Sequence, residues 1–292
     1  MQRKTILFDL NHNEMLTLGD EFTDFLKLLQ NYNLEIKKNE SKDVTKKILE
    51  DIDVLVLGNP IDDYFSNIEI KDIVNFVRLG GNLMLISEYG SDFLQKTNLN
   101  DLASNFGFIF EKNLIKEQNS ENQNCSSILH IQEFPSHDIV NGLREMIIGG
   151  ACSLFLNMGA RPLLKTNKNN IWSEIYNNNS EEWTKDKEQQ HIIAAYSNFG
   201  QGKVVALGDI DIFCNDQNIG IHSVDNYKFL RNTINWLIEP VKRPDVLSFI
   251  LDQMGELQSG VKEIQNTINN IIETMSILEQ RISYLEEEDK DI

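Results

Sequence analysis

The chain has 292 residues, with 45 Asp and Glu against 27 Lys and Arg, a formal charge of −18. Such a charge repels nucleic-acid phosphates and anionic lipid, and the doublets Lys37–Lys38 and Lys46–Lys47 are too isolated to offset it, so neither is expected as a direct partner. The apolar content suffices for a core, but no apolar window reaches membrane length and the N-terminal "TILF" run is quickly followed by polar residues; a globular chain is expected, without membrane span or cleaved signal peptide.

In chain order, β-rich runs appear at Thr5–Phe8, Leu34–Lys37, Asp53–Gly58, Asn82–Ser87 and Gly107–Phe110, with amphipathic stretches between them. "EFTDFLKLLQNY" gathers Phe22, Phe25, Leu26, Leu29 and Tyr32 on one helical face. "IEIKDIVNFVRLGG" gathers Ile70, Ile73, Val74 and Val77 and ends on a Gly pair suited to a C-cap. Strands alternating with helices at this spacing predict a mostly parallel sheet covered on both faces, an α/β fold.

From Cys125 to Trp183 the pattern becomes a β-rich excursion, with strand-like "SSILHI", "REMIIGG", "CSLFLN" and "RPLLKT" separated by turn signals. The polar run Asn177–Gln190 reads as a mobile loop. "HIIAAYSNFGQGKVVALGD" reads as a strand pair around a Gly-rich turn, and "NYKFLRNTINWLI" as a helix burying Phe229, Leu230, Ile234 and Leu237. "EPVKRP" breaks the pattern, so the expected organisation is an α/β domain over 1–239, a linker over 240–245, a coiled coil over 246–287 and an acidic tail over 288–292.

The coil is read from its heptads. With Leu247 at a, the a and d positions are Leu247, Ile250, Met254, Leu257, Val261, Ile264, Ile268, Ile271, Met275, Leu278, Ile282 and Leu285, all apolar. A helix packed on its own domain drifts from a strict seven-residue repeat, so the repeat points to a coiled coil, the alternative being a long helix folded back on the globular part. The nine positions from Leu257 onward are the expected interface. Gly255 and Gly260 weaken the first heptads, and the residue types leave stoichiometry and strand direction open.

Open parallel sheets bind ligands beyond the carboxyl ends of their strands. There the sequence places Asp9, Asn11, His12, Asn13 and Glu14, then Asn59, Asp62 and Asp63, then Glu88 and Tyr89, then Asp209, Asp211, Asn215 and Asp216. Nucleophilic catalysis needs a Ser or Cys on a sharp strand-to-helix elbow, yet "LISEYGSD" holds neither G-x-S-x-G nor G-x-C-x-G. Cys152 sits inside a strand-like run and Cys125 in a polar loop. Cys214, nearest to a site, has no evident His partner and reads as a structural thiol. Three scattered cysteines without C-x-x-C argue against disulfides and zinc and for a reducing cytoplasm. The five histidines form no i, i+4 pair, and neither a P-loop nor G-x-G-x-x-G occurs, so no cofactor and no metal are expected. One constellation stays open: Asp9, His12, Asp209 and Asp211, if their strands are neighbours.

Several stretches together resemble a known family: "ILFDLNHNE", "DVLVLGNP…IKDIVNFVRLGGNLMLISEYG", "LASNFGF", "FPSHDIVNGL" and "AAYSNFGQGKVVALGDIDIFCND…NYKFLRNTINWL". They are similar to the GIFT-type domain shared by the gliding-motility auxiliary component of ABC transporters and intraflagellar transport protein fifty-two, within the wider class I glutamine-amidotransferase-like group. The resemblance spans residues 3 to 238. It implies a flavodoxin-like sandwich, and at the elbow, where catalytic relatives carry Cys, this chain carries "SEYG". It therefore implies a non-catalytic ligand-binding or assembly module.

The leading expectation is a non-enzymatic cytoplasmic scaffold or adaptor whose coil joins a second copy or a partner protein. The first alternative is a small-ligand domain, for instance for a carbohydrate, binding through Asp9, Asn11, His12, Glu88, Asp209 and Asp211. The second is a hydrolase or metal enzyme using Asp9, His12 and Asp209.

Overall fold

The structure, a computed structural model, describes residues 3–118, 125–157 and 159–240, together with residues 261, 264, 265, 267, 268 and 275. The chain divides into two compact units, 1–241 and 242–292.

Through the first unit run β1 (Lys4–Asp9), α1 (Thr23–Gln30), β2 (Leu34–Asn39), α2 (Lys46–Leu49), β3 (Val54–Gly58), α3 (Asn67–Arg78), β4 (Asn82–Ile86), α4 (Ser91–Gln95), α5 (Leu99–Ala103) and β5 (Phe108–Phe110). The β-rich stretch follows as β6 (Asn113–Gln118), β7 (Cys125–Ser126), β8 (Ile128–Ile131), β9 (Met146–Gly149), β10 (Leu154–Leu156), β11 (Arg161–Lys165), β12 (Ile171–Asn177) and β13 (Glu182–Lys185). The hairpin β14 (Ile192–Phe199) and β15 (Gly202–Leu207) and the helix α6 (Asn226–Ile238) close the unit.

The central sheet has the order β11-β14-β15-β4-β3-β1-β2. From β15 to β2 neighbouring strands are parallel, while β14 runs antiparallel to β15 and β11 antiparallel to β14. Alternation sorts each inner strand's side chains onto two faces. Ile6, Phe8, Val54, Val56, Met84, Ile86, Val205 and Leu207 meet α1 and α6 through Phe25, Leu29, Phe229 and Ile234. Leu7, Leu55, Leu57, Leu83, Leu85, Val204 and Ala206 meet α3 and α5 through Ile73, Val77, Leu99 and Leu102. Burial on both faces explains why these strands read as unbroken apolar runs. Each such side chain stabilises the fold by about 1.5–3 kcal/mol.

Two expectations change. The run Gly107–Phe110 is a strand, but β5 leaves the central sheet and pairs antiparallel with β10, Phe110 opposite Leu154. The segment Asn177–Gln190 is no loop throughout: β13 pairs with β12, and Trp183 packs edge-on against Tyr176 and Tyr89. One aromatic anchor and its cross-strand partner order a stretch whose composition is otherwise polar.

Among the described residues no helix is long and apolar enough to cross a membrane. In the second unit Val261, Ile264, Ile268 and Met275 are helical, with exposures from 49% to 62%. The coil positions Leu257, Ile271, Leu278, Ile282 and Leu285, linker residues 241–245 and the tail 288–292 lie outside the described residues.

Candidate functional site

Four parallel strands deliver their carboxyl ends to one edge, in the order β15, β4, β3, β1. Past them stand Asp209, Glu88, Asn59 and Asp9. Three interstrand spacings of about 4.8 Å therefore separate β1 from β15, roughly 14 Å. The six rim residues named from the sequence are not gathered at one strand end: β3 lies between the end of β1 and that of β4, and the acids fall into two groups.

The first group is tied together through His12. Asp9 Oδ2 receives His12 Nδ1 at 2.6 Å, and Asp9 Oδ1 receives Asn39 Nδ2 at 2.6 Å. On the other side of the imidazole, Nε2 lies 3.3 Å from Glu69 Oε1. Glu69 is the N3 residue of a capping box on α3: its Oε2 takes the Ser66 amide, and Ser66 Oγ accepts the Glu69 amide. Its Oε1 also takes the Val44 amide. His12 stacks on Phe65, ring centroids 4.1 Å apart. Asp9, His12 and Glu69 are 1%, 3% and 3% exposed, while Asn11 is partly buried in the turn beside them.

Burial alone would lower the His12 pKa, but the hydrogen bond and charge of Asp9, with Glu69 and Asp63, raise it above its ordinary value. His12 thus shares a hydrogen bond with Asp9 through Nδ1 and stands at ion-pair distance from Glu69 through Nε2. It ties the turn after β1 to the start of α3. Glu14 lies nearby, buried, its carboxyl pushed well above the usual range by burial and then by Asp9, and neither of its oxygens has a hydrogen-bond partner.

The second group is open in its bonding. Glu88 Oε1 takes the Tyr89 amide at 3.0 Å and Oε2 the Ile210 amide at 3.1 Å, which binds the end of β4 to the turn after β15. Asp209 Oδ1 takes the Asp211 amide at 2.9 Å, whereas Oδ2 has no hydrogen-bond partner although Asp209 is fully buried. Burial first, then the charge of Asp209, pushes Glu88 well above the carboxylate range. Burial first, then Asp211, does the same to Asp209. Asp211 is raised as well, by burial and then by Glu21 and Asp216.

A backbone strap of Gly149 to Ser153 covers this group. The Cys152 amide donates to Gly208 O at 2.8 Å, and a Cβ on Gly208 would lie 2.2 Å from Cys152 O, so only glycine admits so close an approach. Gly150 holds a φ of +66°, and a Cβ there would sit 3.2 Å from Glu88 Oε1.

The elbow after β4 turns through Gly90 and Ser91, with φ of 75° and 46°. Its hydroxyls are committed or enclosed: Ser91 Oγ donates to Phe110 O, and Ser87 is 1% exposed. The Cys152 thiol is fully buried and pushed well above its usual range by burial and Glu88, and burial pushes Cys214 up to about 11. Neither is poised as a thiolate.

Sequence reasoning missed Glu69, Asn39 and the glycine strap. Only Glu69 carried a local signal, the Ser-x-x-Glu pattern at Ser66–Glu69.

Residues 5–119 match the family model of the IFT52 GIFT domain. Over those residues the match agrees with the GIFT-type resemblance read from the sequence. The mmIFT52 N-terminal domain superposes with a TM-score of 0.68 at 16% identity, covering 82% of this chain and 100% of that one. A cytoplasmic protein from Salmonella typhimurium gives 0.51 at 15% identity, covering 80% of this chain and 98% of that one. A ThuA-like protein from Bacteroides uniformis gives 0.51 at 14%, covering 81% and 91%. At these identities the likeness to the GIFT and ThuA-like structures is one of fold. No curated protein matches the chain.

Proposed function

We propose that this chain is a non-enzymatic scaffold or adaptor, an intraflagellar-transport-like GIFT domain that assembles with a second copy or a partner protein through its C-terminal helix. The observation that carries the reading is the apolar heptad stripe: Val261, Ile264, Ile268 and Met275, at a, d, a and a, are helical and about half exposed. Four large apolar side chains on one helical seam cost free energy in water until another helix covers them. The GIFT match supports an assembly role, and the buried thiols and enclosed hydroxyls at the rim support a module without a nucleophile.

The small-ligand alternative narrows to Glu88, Asp209 and Asp211, because Asp9 and His12 spend their polar atoms on each other, Asn39 and Glu69. For the enzyme alternative, Asp9 and His12 stand at the end of β1 and Asp209 past β15, with β3 and β4 between them.

The test is the solution mass of the full 33.6 kDa chain by sedimentation equilibrium, beside a variant carrying Ile264→Asp and Ile268→Asp. The reading expects a multiple of the chain mass for the parent at micromolar concentration and the single-chain mass for the variant. Single-chain mass for both removes self-assembly and leaves a heterologous partner helix.

A further inference from the structure

We propose that Glu88, Asp209 and Asp211 form a binding site for a hard divalent cation of the calcium or magnesium kind at the carboxyl ends of β4 and β15. One carboxylate oxygen from each residue lies within 4.8 Å of the others. Opposite ligands of one calcium ion, bonded at 2.3–2.6 Å, stand about 4.6–5.2 Å apart, so the three oxygens fall within the span of one coordination sphere.

The acids alone would not carry the inference; the orphaned oxygen of Asp209 does. Asp209 is 0% exposed, and its Oδ2 has no donor in full hydrogen-bonding geometry, the amides of Gly149 and Ile212 being the further backbone groups beside the carboxylate. A buried carboxylate oxygen without a donor is a cost that folded proteins rarely keep, and the ionisable groups drawn close to Asp209 are two further acids instead of a base. None of the ion pairs among the described residues involves any of the three.

The surroundings hold the ligands in place. Glu88 is fixed by the Tyr89 and Ile210 amides, and Asp209 by the Asp211 amide, yet each carboxylate oxygen keeps a second lone pair. The facing strap is bare at this point: a Cβ on Gly149 would lie 3.2 Å from Asp211 Oδ2, and one on Gly150 3.2 Å from Glu88 Oε1. Asp211 is only partly buried, which gives a cation an entry path and water access to the remaining coordination positions. A set of oxygens alone, all carboxylate, selects calcium or magnesium over the softer zinc or copper. The site is independent of the assembly reading, since it uses no residue of the C-terminal helix.

The experiment uses the full chain, stripped with a chelator and dialysed into sodium buffer. Thermal unfolding is recorded with calcium chloride and with magnesium chloride, and calorimetric titration counts the equivalents. At a hundredfold excess over the dissociation constant the melting temperature is expected to rise by roughly 5–10 °C. One equivalent binds, and Asp209→Asn and Asp211→Asn lose the rise. An equal rise in parent and variants means diffuse binding to an acidic surface and overturns the proposal, as does the absence of both heat and rise.

Should the variants fail to fold, the parent chain decides alone. Tyr89 borders the strap and packs on Trp183, so terbium bound at this site is expected to show aromatic-sensitised emission that calcium displaces. No sensitised emission, or emission indifferent to calcium, overturns the site.

Discussion

Asp9 and Asp209 hold equivalent places in the fold, each at the carboxyl end of an apolar parallel strand and each 1% exposed or less, yet their surroundings are opposite. Asp9 has a donor on both oxygens, one of them an imidazole whose far nitrogen reaches Glu69. Asp209 has a donor on one oxygen, and carboxyls where a cation would complete the set. A rim dense in polar residues is therefore not in itself a site: Asp9, His12 and Glu69 fasten β1 to α3, although Glu14 beside them keeps two unpartnered oxygens, and Glu88, Asp209 and Asp211 are the acids drawn close enough together to share a ligand.

His12→Ala gives the largest expected effect. Removing the imidazolium leaves Asp9 and Glu69 as buried charges without their partner, and breaking such a group costs about 3–5 kcal/mol. The sign with pH follows from the raised native pKa: the stabilisation is full below the unfolded value of 6.5 and fades as pH rises through the native value. Urea unfolding of parent and variant at pH 6 and pH 9 should show the larger difference at pH 6.

Ser66→Ala comes next. It removes the hydroxyl half of the capping box that orients Glu69, at an expected cost of about 1 kcal/mol. A cost several times larger would mean that the cap supports the His12 network more than it supports α3.

Asp209→Asn should act in the other direction in divalent-free buffer. The amide relieves repulsion with Glu88 and Asp211 and places a donor where Oδ2 lacks one, an expected gain of about 1 kcal/mol in urea unfolding at neutral pH.

Asp92 sharpens the contrast away from the rim. Burial raises its pKa to about 6, and its Oδ1 is unpartnered while Oδ2 takes the Asn100 amide. The native state thus binds the proton more tightly than the unfolded chain, so stability falls as pH rises from about 4 to about 6. Asp92→Asn is expected to remove that slope and, discounted for partial exposure, to gain about 1 kcal/mol at pH 8.

Much of the fold was legible because it is local chemistry. The runs at Ile6, Val54, Leu83 and Val204 are apolar on both faces, which marks buried parallel strands, and α6 matches its sequence reading from Asn226 to Ile238. Pairings were not legible. Nothing within Gly107–Phe110 names β10 as its partner, and nothing within Glu182–Lys185 shows that Trp183 closes on Tyr176. At the rim, Glu88, Asp209 and Asp211 were named from their strand ends, but strand order set them apart from Asp9 and His12. The contact between His12 and Glu69 joins residues far apart in sequence, and the bare strap of Gly149 and Gly150 comes from the β-rich stretch. These are properties of topology, which periodicity does not encode.

The contrast between the two acidic groups is tested most directly by measuring urea unfolding of His12→Ala and Asp209→Asn side by side at pH 7 in divalent-free buffer. The account expects opposite signs, His12→Ala destabilising and Asp209→Asn stabilising. Loss of stability in both would show that Asp209 is already satisfied within the fold and would contradict the division of the rim.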